Sequence, residues 1–199
     1  MIHSSRALPR LLLLALAGLL TSCGGDRGAP PLDEGSTSTP GASGLALAAD
    51  LDLRNARVPR EGLLTSGQPT PDQLDALVGA GYTWVISLRP VTEEGAGWEE
   101  DQASEGGYVF HRIPVRGAED LTRANVERFA DLLDQAGDTP TLAYCASSNR
   151  VGAFMALKAG WLDGMDPGQA LEVGRAAGLT GLDEAVEDLL RGAPAGGDT

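Results

Sequence analysis

The chain is 199 residues long, 42% hydrophobic and 22% charged, with 28 acidic against 15 basic residues and a formal net charge of −13. That length and apolar content suffice for one ordinary domain with its own core. The acidic balance excludes nucleic acid as a partner and leaves no polybasic face for an anionic membrane.

Arg6 and Arg10 precede an apolar run from Leu11 to Leu20, which is too short for a permanent membrane-crossing helix and has the order of a signal peptide. It ends in Leu20-Thr21-Ser22-Cys23, which resembles the bacterial lipobox. The resemblance implies cleavage after residue 22, a diacylglyceryl group on Cys23, and a chain anchored to a membrane of the bacterial cell envelope, outside the cytoplasm. Residues 23–46 are mostly Gly, Ser, Thr, Pro and Ala, too poor in large apolar side chains to fold alone, and predict a flexible tether. Residues 47–191 are the expected domain, and the Gly- and Ala-rich residues 192–199 an expected disordered tail.

Within the domain, Arg57 to Gln68 offers two short extended segments broken around Pro59 to Gly62. Thr70-Pro71-Asp72-Gln73 is a helix start, with Thr70 as cap, Pro71 in the first position and Gln73 closing a capping box ahead of Leu74, Leu77 and Val78. Tyr82 to Leu88 is a dense β-branched and aromatic run that predicts a strand buried on both faces. Glu93 to Gly106 predicts a loop or a broken acidic helix, and Tyr108 to Val115 the next strand. Thr122 starts a helix with Val126, Phe129, Ala130 and Leu133 at helical spacing, Thr139 to Tyr144 is a short strand, and Val151 to Gly160 is helix-competent. Asp166-Pro167-Gly168-Gln169 repeats the capping logic, and Leu182 to Leu190 forms a last amphipathic helix. Strands alternating with helices predict a three-layer α/β domain around a largely parallel sheet.

With Cys23 acylated, Cys145 has no partner for an intrachain disulfide and is a lone thiol. Its surroundings run strand, small polar turn, helix start: Leu142-Ala143-Tyr144-Cys145-Ala146-Ser147-Ser148-Asn149-Arg150-Val151-Gly152-Ala153. Ligands of open α/β sheets bind at the carboxyl ends of strands, where amides of a tight turn entering a helix converge on an anion. Those dipoles and the Arg150 cation favour a thiolate at Cys145, and the planar fork of Arg150 suits a tetrahedral oxyanion.

The sequence here resembles the cysteine phosphatase superfamily, and within it the bacterial beta-lactamase-hydrolase-like, phosphatase-like domains. The resemblance runs through Ser66-Gly67-Gln68-Pro69-Thr70, Val85-Ile86-Ser87-Leu88-Arg89-Pro90, Ile113-Pro114-Val115, Tyr144-Cys145 to Arg150, and Gly174-Arg175-Ala176-Ala177-Gly178. It implies the three-layer cysteine-phosphatase fold, with Cys145 as the nucleophile that takes a phosphoryl group and Arg150 binding the substrate oxygens. The amides of Ala146, Ser147, Ser148, Asn149 and Arg150 would form the cradle. The implied partner is a phosphorylated or sulfur-oxyanion substrate, with neither metal nor cofactor.

Three departures shape the expectation. The loop has four residues between Cys145 and Arg150, one fewer than ordinary tyrosine phosphatases and the same as rhodanese-like sulfurtransferases, so a persulfide on Cys145 is an alternative chemistry. Ser148 stands where relatives often carry glycine, and Asn149 is the residue best suited to a left-handed turn. Val151 replaces the hydroxyl residue that assists release of the phosphocysteine, which implies slow turnover or a non-catalytic oxyanion-binding protein. Asp120 is the candidate general acid, with Glu119 beside it, and both equally suit the start of the helix at Thr122. Arg89, at the end of a central strand, is a candidate second substrate-binding charge or an ordinary ion-pair partner. His111 has no companion at metal-ligand spacing.

Overall fold

A computed structural model describes residues 40–192 of the chain. The expected signal peptide, Cys23, residues 23–39 of the expected tether and residues 193–199 of the expected tail lie outside the described residues. Residues 40–46, read from composition as tether, are helical: α1 spans Pro40–Asp50. Its small residues let it lie close to the sheet layer. Ala48 is 1% exposed, and a Cβ on Gly44 would sit 2.6 Å from the Tyr82 hydroxyl. The folded unit therefore begins before residue 47, the boundary that composition suggests.

Five strands form one sheet: β1 (Arg57–Arg60), β2 (Leu63–Ser66), β3 (Trp84–Ser87), β4 (Val109–Arg112) and β5 (Thr141–Tyr144), in the spatial order β1-β2-β5-β3-β4. Only β1 runs antiparallel to its neighbour; the other pairs are parallel, as the strand–helix alternation predicts. The remaining helices are α2 (Pro71–Gly79), α3 (Glu99–Gly106), α4 (Arg123–Ala136), α5 (Asn149–Trp161), α6 (Pro167–Ala176) and α7 (Asp183–Gly192). The Thr70–Gln73 capping box forms in both directions, and Thr122 and Asp166 cap α4 and α6 with their side-chain oxygens.

Side chains of a strand alternate between faces, so the sheet divides the core in two. Leu63, Ile86, Ala143 and Cys145 point to the layer containing Phe129, Phe154, Leu157 and Val186. Leu64, Val85, Leu142 and Tyr144 point to the layer containing Leu74, Leu77 and Tyr108. Helix α5 is buried on almost every side, from Arg150 to Leu157, which explains why its sequence lacks a polar stripe. This is the three-layer α/β arrangement expected.

The central strands β5 and β3 both end at the same edge, and Leu88 N–H donates to the Tyr144 carbonyl at 2.9 Å across that edge. Residues following these two strands, Cys145 to Arg150 and Arg89 onward, are thereby brought together.

Candidate active site

Cys145 follows β5 directly, and its amide donates to the Ser66 carbonyl at 3.3 Å. The side chain is enclosed, with the residue 1% exposed. After it the chain turns through Ala146, Ser147 and Ser148 into α5. Ser148, with φ 67°, supplies the left-handed residue, whereas Asn149 already belongs to the helix. The expectation that Asn149 would take this role is corrected. Two contacts hold the serine in a conformation that costs an L-residue on the order of 1 kcal/mol. Its hydroxyl donates to the Ala177 carbonyl at 3.0 Å, and Gly178 packs so close that a Cβ there would lie 2.6 Å from the Ser148 side chain. The Asn149 side chain instead accepts from the Thr180 amide at 2.8 Å, and Asn55 donates to the Ser147 carbonyl at 2.8 Å.

The first turn of α5 carries no side-chain cap, so the N–H groups of Asn149, Arg150 and Val151 point out of the helix start toward the turn. With the helix dipole behind them, they favour an anion at that point.

Arg150 is 8% exposed and fixed from two directions. Its Nη1 and Nη2 donate to the two carboxylate oxygens of Glu93 at 2.5 and 2.9 Å, and Nη1 also donates to the Val115 carbonyl. A guanidinium has five N–H groups. These contacts use three and leave Nε–H and one Nη2–H, the side-on fork that grips two oxygens of a tetrahedral anion. The guanidinium also sits against Cys145. Burial works against its charge, but Glu93 and the Cys145 sulfur outweigh burial and hold Arg150 more firmly protonated than usual.

Glu93 is shared: its Oε2 also accepts from Arg89 Nε at 2.7 Å. Arg89 is 7% exposed, so it is a buried partner of this carboxylate and no surface salt bridge. Its remaining contacts are to Gln68 Oε1 at 2.8 Å and the Glu94 carbonyl at 2.6 Å, which tie down the loop after β3. Behind it lies Glu99, fully buried, which accepts from the Tyr144 hydroxyl at 2.9 Å, the Gly97 amide at 2.6 Å and Arg112 at 2.9 Å. Arg112 also pairs with Glu100 and donates to the Arg89 carbonyl at 2.6 Å.

The Glu93 carboxyl is held below its ordinary value chiefly by hydrogen bonding from Arg150, then Arg89. Burial pushes Glu99 upward, but hydrogen bonds from its own amide, Arg112, Gly97 and Tyr144 outweigh it and leave Glu99 lowered as well. A depressed folded value gives stability that is complete above the unfolded value and lost as pH falls through the folded one. Urea unfolding is expected to give a constant free energy from about pH 7 to about pH 5 and a decline below about pH 4.5 that is shallower in Glu99→Gln. Equal acid slopes in the two proteins would contradict a role for this network in stability.

Asp120 lies in a single 3-10 turn, Ala118–Asp120. Its carboxylate accepts from the Arg116 amide at 2.8 Å and from Arg116 Nε at 3.3 Å, and the main-chain bond above all holds it below its ordinary value. These contacts favour the charged form, whereas a general acid must carry a proton. The His111 ring packs against Trp84, with centroids 4.7 Å apart and the planes tilted by 45°, and burial, then Arg128, lowers its pKa, in keeping with a packed neutral ring.

The segments singled out in the sequence thus surround one loop. Ser66 and Gly67 flank it, Val115 binds its arginine, and Gly178 buttresses Ser148. Glu93, Glu99 and Arg112 escaped the sequence reading because their partners are distant in the chain; the only signal was an acidic pair following Arg89-Pro90.

No protein-family model matches the chain. The beta-lactamase hydrolase-like protein of Xylella fastidiosa is 31% identical over 101 residues, which cover 49% of this chain and 23% of that protein, so the similarity spans about a quarter of the relative's length. A crystal structure from Neisseria meningitidis, provisionally assigned as a phosphatase, is 25% identical with a TM-score of 0.54, covering 66% of this chain and 96% of that one. Pseudomonas aeruginosa TpbA, solved as a cysteine-to-serine variant in complex with phosphotyrosine, shares the fold at 17% identity and a TM-score of 0.50, covering 71% of this chain and 85% of that one. These likenesses agree with the three-layer fold described above and with the resemblance carried by the loop from Cys145 to Arg150.

Proposed function

We propose that this chain is a phosphatase-like hydrolase of phosphate monoesters acting through a phosphocysteine on Cys145. The observation that carries the proposal is the division of the Arg150 donors. Glu93 and Val115 take the end of the guanidinium, and the side-on fork remains beside the sulfur and the uncapped start of α5. A phosphoryl group seated there would have two oxygens on the fork and others on the amides, with phosphorus in front of the sulfur. The thiolate attacks phosphorus, the P–O ester bond breaks, and the leaving oxygen departs as the alkoxide or phenolate and takes its proton from solvent. Water then attacks phosphorus, the P–S bond breaks, and inorganic phosphate and the thiolate are released with the proton of the water passing to solvent. The amides and Arg150 stabilise the charge that gathers on the equatorial oxygens in both steps. Val151 offers no hydroxyl to the second step, so the phosphocysteine is expected to accumulate.

Aryl phosphates are the substrates of choice for a first test, because a phenolate departs with little help from an acid. TpbA, with its bound phosphotyrosine, supports that class. Acid quench after mixing with 4-nitrophenyl phosphate is expected to show a phosphoryl mass adduct on Cys145 and release of nitrophenolate. The four-residue loop supports a second reading, a sulfurtransferase. A persulfide on Cys145 after thiosulfate treatment, with no phosphoryl adduct, would replace the phosphatase proposal by that one. We also propose that the domain is held at a membrane of the cell envelope through a lipid on Cys23. The lipobox resemblance supports this.

A further inference from the structure

The Ser66-Gly67-Gln68-Pro69-Thr70 segment has an explanation at four positions: Ser66 and Gly67 line the Cys145 loop, and Pro69-Thr70 lead into the cap of α2. Gln68 shapes neither. Its side chain spans two charged groups: Oε1 accepts from Arg89 Nη1 at 2.8 Å, and Nε2 donates to Glu99 Oε1 at 3.3 Å and to the Pro69 carbonyl at 3.1 Å. This position asks for an acceptor on one side and a donor on the other, which a neutral amide supplies. A carboxylate would satisfy Arg89 and repel Glu99, an ammonium would do the reverse, and an apolar chain would leave both buried charges short of a partner.

The contacts continue in one direction. Arg89 Nε binds Glu93 Oε2, and the same oxygen binds Arg150 Nη2 at 2.9 Å. At the other end Glu99 is fully buried and fixed by Tyr144, whose carbonyl bonds Leu88 N–H at the sheet edge. We infer that Gln68 is a positioning residue: its amide couples the buried Glu99 to Arg89 and, through Glu93, sets the direction in which the free fork of Arg150 faces. The inference rests on the proposal that Arg150 binds the substrate oxyanion. Gln68 touches no reacting atom and acts only through the two arginines and the carboxylate between them.

The test compares the unaltered protein with Gln68→Met, which keeps the length and flexibility of the side chain but neither hydrogen bond, and with Gln68→Glu, Glu93→Gln and the Gln68→Met/Glu93→Gln double variant. The probe is inorganic phosphate measured by calorimetry, which needs no turnover, followed by kcat/KM on 4-nitrophenyl phosphate. Gln68→Met is expected to weaken phosphate binding about ten-fold and to lower kcat/KM by at least as much, and Gln68→Glu to do the same while retaining the Arg89 acceptor. The double variant is expected to bind phosphate no worse than Glu93→Gln alone, because both changes interrupt one chain of contacts. A purely local role for Gln68 predicts that the two losses multiply, and that outcome overturns the inference, as does wild-type affinity in both Gln68 variants. If Gln68→Met does not fold, the Gln68→Glu affinity decides by itself. Should the unaltered protein bind no phosphate, the oxyanion site falls, and the role of Gln68 with it. Phosphate binding that is normal and indifferent to Gln68 removes the inference alone.

Discussion

Cys145→Ser is expected to abolish hydrolysis of aryl phosphates while leaving the oxyanion site able to bind phosphate. The reason lies in what the substitution spares. Serine is close in volume to cysteine, so the enclosed position after β5 keeps its packing, and the end of the Arg150 guanidinium stays fixed by Glu93 and Val115, contacts that do not involve the sulfur. What is lost is the proposed nucleophile: a serine hydroxyl is not ionised near neutral pH, and no described histidine stands by to take its proton. His111, the histidine of β4, is packed on Trp84. Removal of a covalent nucleophile costs about 10⁴-fold or more in kcat, while preorganised charge leaves a residue of catalysis. Expected values are therefore a kcat/KM down about 10⁴-fold, phosphate affinity within about three-fold, and stability within about 1 kcal/mol of the parent. Hydrolysis that survives would place the chemistry elsewhere. Loss of both activity and phosphate binding would show that the sulfur, and not the guanidinium with its amides, organises the site.

Much of this arrangement could be read in the chain because its signals are local. Thr70, Thr122 and Asp166 announce helix starts within four residues, the apolar runs ending at Leu88 and Tyr144 announce buried strands, and Cys145 to Arg150 declares strand, turn and helix start in one short segment. Signals that depend on distant residues were not legible. Helix α1 has no apolar stripe, because its burial depends on small side chains fitting against Tyr82, so its composition resembles that of a linker. Glu93 and Glu99 look like solvated acids until Arg150, separated from Glu93 by 57 positions, and Tyr144, separated from Glu99 by 45, are folded against them. The left-handed residue went to Ser148 rather than Asn149 because Ala177 and Gly178, from a different helix end, favour a serine there. Propensity ranks residues in isolation, and tertiary contacts decided this case.

Those same contacts make Gly152 the position where a single methyl group should do the most damage to the fold. A Cβ built on Gly152 would lie 2.0 Å from the Leu179 amide nitrogen, 2.6 Å from its Cα and 2.7 Å from the Gly174 carbonyl oxygen. All three are backbone atoms, so no flexible side chain can give way. Relief requires α5 and the end of α6 to separate, although Gly174 in turn leaves only 2.7 Å between a would-be Cβ and the Gly152 carbonyl. That separation carries Ala177 and Gly178 away from Ser148, opening the turn that holds the amides. Overpacking of this kind costs about 3 kcal/mol or more, and Gly152→Ala is expected to lower the Tm by about 9 °C or more and to weaken phosphate binding with it. Gly79 provides the contrast within the same molecule. It is the last residue of α2, with nothing within 4 Å of a Cβ, so Gly79→Ala is expected to raise stability slightly, by no more than about 0.5 kcal/mol at a helix end, through helix propensity alone. If differential scanning calorimetry finds Gly152→Ala melting with the parent, the close crossing of α5 and α6 is wrong, and with it the account of how Ser148 is held in its left-handed turn.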